Sequence, residues 1–207
     1  MNTNIFTKNN KFLMLALDHR GSLKKLLHKE EQKEVSEKEL INFKAGVIGV
    51  LAEDFSGVLI DAEYGLPAYK KVFECKKQLP YLLCMEKSGY REKKEARYNE
   101  LQYSARKLKE LCASGVKLLL YLNPFVQAAP AQIEIGQQAL AQAHEQELPF
   151  FLEIVTYETK DKPANLPDLL FGSLEIFLEK KILPDVFKLE YPGSLENCQK
   201  VTKMLGP

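Results

Sequence analysis

Strands buried between layers of helices should be nearly free of charge. In this chain seven ionisable residues fall inside, or at the end of, short apolar runs. Asp18 closes Phe12–Leu17, Asp61 ends Val58–Asp61, and Glu86 follows Tyr81–Met85. Lys117 interrupts Val116–Leu122, Glu153 interrupts Phe150–Val155, and both Lys188 and Glu190 lie in Val186–Glu190. Side chains alternate along a strand, so Lys188 shares a face with Val186 and Glu190 while Phe187, Leu189 and Tyr191 take the other. If the outer face meets helices, the Phe/Leu/Tyr set belongs there and Lys188 points inward. The same parity groups Lys117 with Leu119 and Tyr121, and Glu153 with Phe151 and Val155. Three consecutive strands then project charge into one interior.

Two readings fit that pattern. A lysine amine is nucleophilic when neutral, and desolvation beside a second cation favours the neutral form. Lys188 with Lys117 nearby is therefore a candidate Schiff-base site, with Glu153 placed to move protons during carbinolamine formation and carbon–carbon cleavage. The alternative is a buried Lys–Glu–Lys ion network that fixes packing and does no chemistry.

The elements that must position these groups alternate regularly. Between the apolar runs lie helical patterns at Ser36–Glu53, Glu63–Lys77, Tyr98–Ser114, Ala131–Glu147, Leu166–Lys181 and Ser194–Met204. Ser36 precedes Glu39 in capping-box spacing, and Pro130 heads the fourth helix. Gly115 and Pro149 punctuate returns to strands. Six strand–helix units predict an α/β fold with parallel strands and crossover helices, forming a single domain over residues 1–207. Strand starts recur about every 35 residues, the spacing of a TIM (β/α)8 barrel, which needs about 280 residues at that pitch. At 207 residues, this chain is predicted to hold about six of the eight units.

Composition narrows the function. With 29 Lys+Arg against 28 Asp+Glu, there is no general electrostatic case for nucleic acid. The mixed-sign stretches Lys29–Lys38 and Arg91–Arg97 read as solvated faces or loops. No apolar run reaches the roughly 18 residues of a membrane span, and the polar segment Met1–Lys11 lacks a signal-peptide centre. A cytoplasmic location is expected. Cys75, Cys84, Cys112 and Cys198 form no C-x-x-C pair and read as buried, reduced thiols. His19, His28 and His144 are too scattered to suggest a zinc cluster, and no dinucleotide or P-loop motif is present.

Six segments, in order, resemble the class I aldolase family of tagatose 1,6-bisphosphate aldolase and sulfofructose phosphate aldolase. They are Leu15–Lys24 (LALDHRGSLK), Ile60–Ala68 (IDAEYGLPA), Glu86–Tyr90 (EKSGY), Val116–Tyr121 (VKLLLY), Phe151–Tyr157 (FLEIVTY) and Asp185–Pro192 (DVFKLEYP). The resemblance implies a TIM barrel that cleaves a ketose bisphosphate into two three-carbon phosphates, with no metal and no organic cofactor. It places the imine-forming lysine at Lys188, the second lysine at Lys117, the proton-transferring glutamate at Glu153 and the aspartate beside the reacting carbonyl at Asp18. It also makes His19, Arg20, Asp61 and Glu190 substrate-binding candidates. The segments Ile60–Ala68 and Glu86–Tyr90 lie nearer the tagatose-bisphosphate branch, although His19 stands where that branch often has Gln.

The family's last two strands, with a Ser/Gly-rich loop and a Gly-Arg segment that hold one phosphate, have no counterpart in this sequence. Six strands leave two apolar edges open to aggregation or pairing, which predicts a homo-oligomer. Two rival expectations stand beside the aldolase reading. One is a non-catalytic remnant, or a subunit needing a separate C-terminal piece; the other is an aldolase for sulfofructose phosphate or another phosphosugar.

Overall fold

The computed structural model describes residues 1–31, 34–74, 79–160 and 164–206. Cys75, the last turn of the expected helix Glu63–Lys77 and part of Lys29–Lys38 lie outside them. Six parallel strands form one sheet: β1 (Met14–Leu17), β2 (Gly57–Ile60), β3 (Tyr81–Cys84), β4 (Gly115–Leu122), β5 (Phe150–Thr156) and β6 (Val186–Leu189). Their spatial order follows the chain, β1 to β6, as expected for successive crossover units. Seven helices accompany them among the described residues: α1 (Gly21–Glu31), α2 (Glu37–Leu51), α3 (Gly65–Phe73), α4 (Ala105–Glu110), α5 (Ala129–Glu145), α6 (Leu166–Glu179) and α7 (Leu195–Leu205). The α/β, barrel-type fold with six units is as the sequence predicts.

The sheet curls strongly. Asp18, just past β1, bonds Lys117 on β4 at 2.8 Å, three strands away, a reach that a flat sheet does not allow. Alternation then separates two cores. Outward residues such as Ile60, Leu83, Leu118, Leu120, Leu152 and Ile154 pack under the helices. Inward Leu59, Leu82, Cys84 and Phe151 close over Phe6, which comes from the N-terminal segment and plugs the floor of the curl. The rings of Phe6 and Phe151 meet edge to face at 5.3 Å. The plug needs glycine: a Cβ on Gly57 would sit 3.0 Å from the Phe6 ring, and one on Gly115 would sit 2.8 Å from Leu82.

Helix boundaries follow local chemistry. Ser36 and Glu39 form the reciprocal capping box of α2. Helix α1 was not expected: its residues are polar enough, with Leu26 exposed, to hide the periodicity. The helix expected over Tyr98–Ser114 is shortened to α4, capped by Ser104. Upstream of it, Arg91–Lys93 and Ala96–Tyr98 pair as a hairpin, with Lys94 and Glu95 at φ 51° and 60° making the turn; Arg91–Lys93 are exposed, in keeping with the solvated face or loop expected there. The chain then returns along β3: Leu101 bridges Glu86, and the Gln102 and Tyr103 amides donate to Met85 O. No helix among the described residues is long and apolar enough to cross a membrane.

Candidate active site

The inward charges meet at the C-terminal ends of the strands. Lys117 is fully buried, and its ammonium donates to Asp18 Oδ2 (2.8 Å) and Glu86 Oε1 (3.0 Å) and pairs with Glu153 Oε2 (2.8 Å). Burial pulls its pKa down, but the carboxylates of Glu86, Asp18 and Glu153, with Cys84, raise it well above the ordinary lysine value. Lys117 is therefore a fixed cation without a free lone pair. Asp18 shows the converse. Burial pushes its carboxyl up, yet the Lys117 charge and hydrogen bond, with Cys84 and His19, outweigh that and hold it at about 2.

Lys188 stands in register with Glu153 on the neighbouring strand. Its ammonium contacts Glu153 Oε1, and its side chain is 41% exposed. Two features separate this from the arrangement expected from sequence. The Glu153 carboxylate lies between the two ammonium groups, one oxygen to each. Lys188 is only partly buried, lying on an edge strand of the described sheet. Of the two lysines, only Lys188 has one ionic partner and faces the cavity.

That cavity has a volume of about 320 Å³ and opens above the lysine–carboxylate layer. Asp18, His19, Arg20, Glu86, Glu153 and Lys188 line it, with Ser22, Lys87, Ser88, Asn99 and Tyr121 among the other contributors. His19 is 63% exposed, its Nδ1 at 4.0 Å from Asp18 Oδ1. Arg20 is buried, its guanidinium donating to Glu86 O (2.8 Å) and Gln102 Oε1 (3.0 Å).

Two expected substrate contacts fall elsewhere. Asp61 is completely buried beneath the end of β2. It accepts hydrogen bonds from the amides of Glu63, Tyr64 and Gly65 and pairs with the equally buried Lys44 of α2. Its carboxylate is committed to the start of α3 and to Lys44 of α2. Glu190 also misses the cavity lining: Oε2 accepts from the Thr156 amide (2.8 Å) and hydroxyl (3.0 Å), clamping the ends of β5 and β6.

Sequence reasoning passed over two residues of the site. Glu86 was noticed only as a strand-closing charge; it is the third carboxylate on Lys117 and also accepts the Leu119 amide at 3.1 Å. Cys84 faces inward beneath it, its thiol 3.4 Å from Asp18 Oδ2 and pushed well up in pKa by burial and the Glu86 charge. Cys112, expected to be buried, is exposed. Asp18, Cys84 and Glu86 bring three potential metal donors within 4.8 Å of one another. The Lys117 ammonium is bonded to both carboxylates of that set.

A curled parallel sheet with a lysine–carboxylate layer at the C-terminal strand ends defines a (β/α)-barrel-type protein with an enzyme-like site. The family model of the DeoC/LacD family aldolases matches residues 12–205, and the chain belongs to that family. It is 33% identical over 197 residues to the tagatose 1,6-diphosphate aldolase of Streptococcus pneumoniae serotype 4, covering 88% of this chain and 58% of that protein. To the tagatose 1,6-diphosphate aldolase of Lactococcus lactis subsp. lactis it is 32% identical over 204 residues, 91% of this chain and 60% of that protein. The chain thus spans somewhat under two thirds of the length of these relatives. Among solved structures, a Schiff-base-forming fructose-1,6-bisphosphate aldolase superposes with a TM-score of 0.64 at 20% identity, over 98% of this chain and 74% of the other. An archaeal fructose-1,6-bisphosphate aldolase, captured as the carbinolamine on its catalytic Lys, gives 0.64 at 18% identity with the same coverage. At such identities the likeness is one of fold.

Proposed function

We propose that this chain is a class I aldolase that cleaves a ketose bisphosphate such as tagatose 1,6-bisphosphate into dihydroxyacetone phosphate and glyceraldehyde 3-phosphate. The observation that carries this reading is that Glu153 pairs through one oxygen with the buried Lys117 and through the other with the cavity-facing Lys188. Lys188 passes a proton to Glu153 Oε1, already in contact with it, and its amine attacks the C2 carbonyl to give a carbinolamine. Loss of water leaves an iminium. Glu153, a carboxylate again, then takes the proton of the C4 hydroxyl; the C3–C4 bond breaks, its electrons flow into the iminium, and the aldehyde departs. Reprotonation at C3 and hydrolysis release the second product and restore Lys188. Lys117 holds Glu153 by its other oxygen, and Asp18 accepts a hydrogen bond from the hydroxyl beside the reacting carbonyl. His19 and Arg20 support substrate binding at the cavity wall.

On this reading the chain is one (β/α)-barrel domain that acts on a small phosphosugar in the cytoplasm. Borohydride reduction with dihydroxyacetone phosphate tests the chemistry. An adduct on Lys188, absent in Lys188→Arg, is expected; a folded sample that gives no adduct refutes the mechanism.

A further inference from the structure

Asn99 carries an unused hydrogen-bond donor beside the cavity. The side chain is almost wholly buried and belongs to the cavity lining. Its orientation is settled by its neighbours: the Tyr121 amide donates to Oδ1 at 2.8 Å, and Gln132 Nε2 approaches the same oxygen at 3.3 Å. An amide N–H can only donate, so the oxygen must face Tyr121 and the NH2 group must point away from it. That Nδ2 is buried and has no partner. Buried amide donors without an acceptor are rare in folded proteins, and each one calls for a partner or a role.

Height in the barrel says which part of a ligand it meets. Lys188 pairs in register with Glu153, and Glu153 with Leu119. Tyr121 lies two residues further along β4, about 7 Å nearer the mouth. A group bonded to Asn99 is therefore well removed from the carbon joined to Lys188, at the far end of an extended six-carbon chain. Lys87 and Ser88 are brought next to Asn99 by the bond from the Lys87 amide to Glu100 O (2.9 Å), and both line the cavity. Lys87 is paired there with the exposed Glu100 carboxylate.

We propose that Asn99 determines specificity for the distal end of the substrate, its Nδ2 donating to a phosphate oxygen of the departing aldehyde. This rests on the aldolase reading. The test measures total borohydride-trapped adduct on the full chain, by intact mass, against concentration of dihydroxyacetone phosphate, tagatose 1-phosphate and tagatose 1,6-bisphosphate. Asn99→Asp keeps the acceptor for the Tyr121 amide and puts an oxygen where the donor stood. Its half-saturating concentration of the bisphosphate should rise by about ten-fold or more, and those of the other two should move less than about two-fold. Asn99→Leu, which buries no new charge, is measured alongside and should shift the same way. Equal shifts for all three compounds mean a structural role and overturn the proposal, as do unchanged values for all three. Wild-type chain that traps none of them overturns the aldolase reading itself.

Discussion

Replacing Lys117 with Met removes one charge from the middle of three carboxylates while nearly preserving side-chain volume. Asp18, Glu86 and Glu153 would then face one another in a buried site with no cation at its centre. Breaking a buried ionic network by deleting one partner costs about 3–5 kcal/mol. For a chain of this size, each kcal/mol lowers Tm by roughly 2–4 °C, so a fall of about 6–20 °C is expected near pH 7. The pH dependence is more telling than the size. In the wild type, Asp18 titrates at about 2, below its ordinary 3.8. That shift is worth about 2 kcal/mol, present above pH 4 and lost as pH falls through 2. In Lys117→Met the repelling carboxylates have raised folded-state pKa values, so their penalty is relieved as they protonate. The variant should become more stable as pH is lowered from 7 towards 5, opposite in sign to the contribution of Asp18 in the wild type. Thermal unfolding followed by circular dichroism across pH 3–8 reads both slopes. A Lys117→Met protein as stable as wild type at pH 7, or one lacking the reversed slope, would refute the view that Lys117 neutralises this cluster.

Three further outcomes follow from the packing. Asp61→Ala should cost about 3–5 kcal/mol by stranding the Lys44 charge, yet folded protein should still trap dihydroxyacetone phosphate at Lys188, because Asp61 does not line the cavity; loss of trapping with normal stability would restore it as a substrate contact. Phe6→Ala should empty the floor plug and destabilise by about 3–5 kcal/mol in denaturant titration; a change under about 1 kcal/mol would mean that the N-terminal segment is not part of the core. Iodoacetamide should label Cys112 well before Cys84, whose thiol is buried and shifted away from the reactive thiolate, and peptide mapping that finds Cys84 labelled first contradicts the site geometry.

Much of the scaffold was legible because it depends on short-range rules. Short continuous apolar runs of strand length marked all six strands, and the Ser36–Glu39 spacing marked the start of α2. Parity alone brought Lys117, Glu153 and Lys188 to one interior, and the fold joins them. What stayed hidden depends on contacts between distant segments. Lys44 looks like any surface lysine of an amphipathic helix until α2 is laid over the end of β2, where Asp61 claims it. Asp61 therefore stands among the expected substrate contacts. The segment before α4 has helical spacing, but pairing with the end of β3 and the Arg97 guanidinium among Tyr90, Tyr121 and Tyr157 hold it as a hairpin and return strand. Asn99 becomes informative only when its oxygen is seen to be occupied and its nitrogen is not.

The relation between the two lysines is where pattern and geometry diverge most. Parity alone suggested a cation placed beside a nucleophile to disfavour its proton. The fold instead sets a carboxylate between them and gives Lys117 three anionic partners. Lys117 thereby does its work on the carboxylates. It balances the charge that Asp18, Glu86 and Glu153 bring into the interior, and it fixes Glu153 by one oxygen so that the other meets Lys188. On the proposed reading, the proton that Lys188 must lose has a receiver already in contact, whatever the charge on Lys117. Forming the iminium keeps one positive charge at the Lys188 nitrogen, so the Coulomb balance of the layer survives the covalent step. The same network can then serve carbinolamine formation, carbon–carbon cleavage and hydrolysis without rearranging its buried charges.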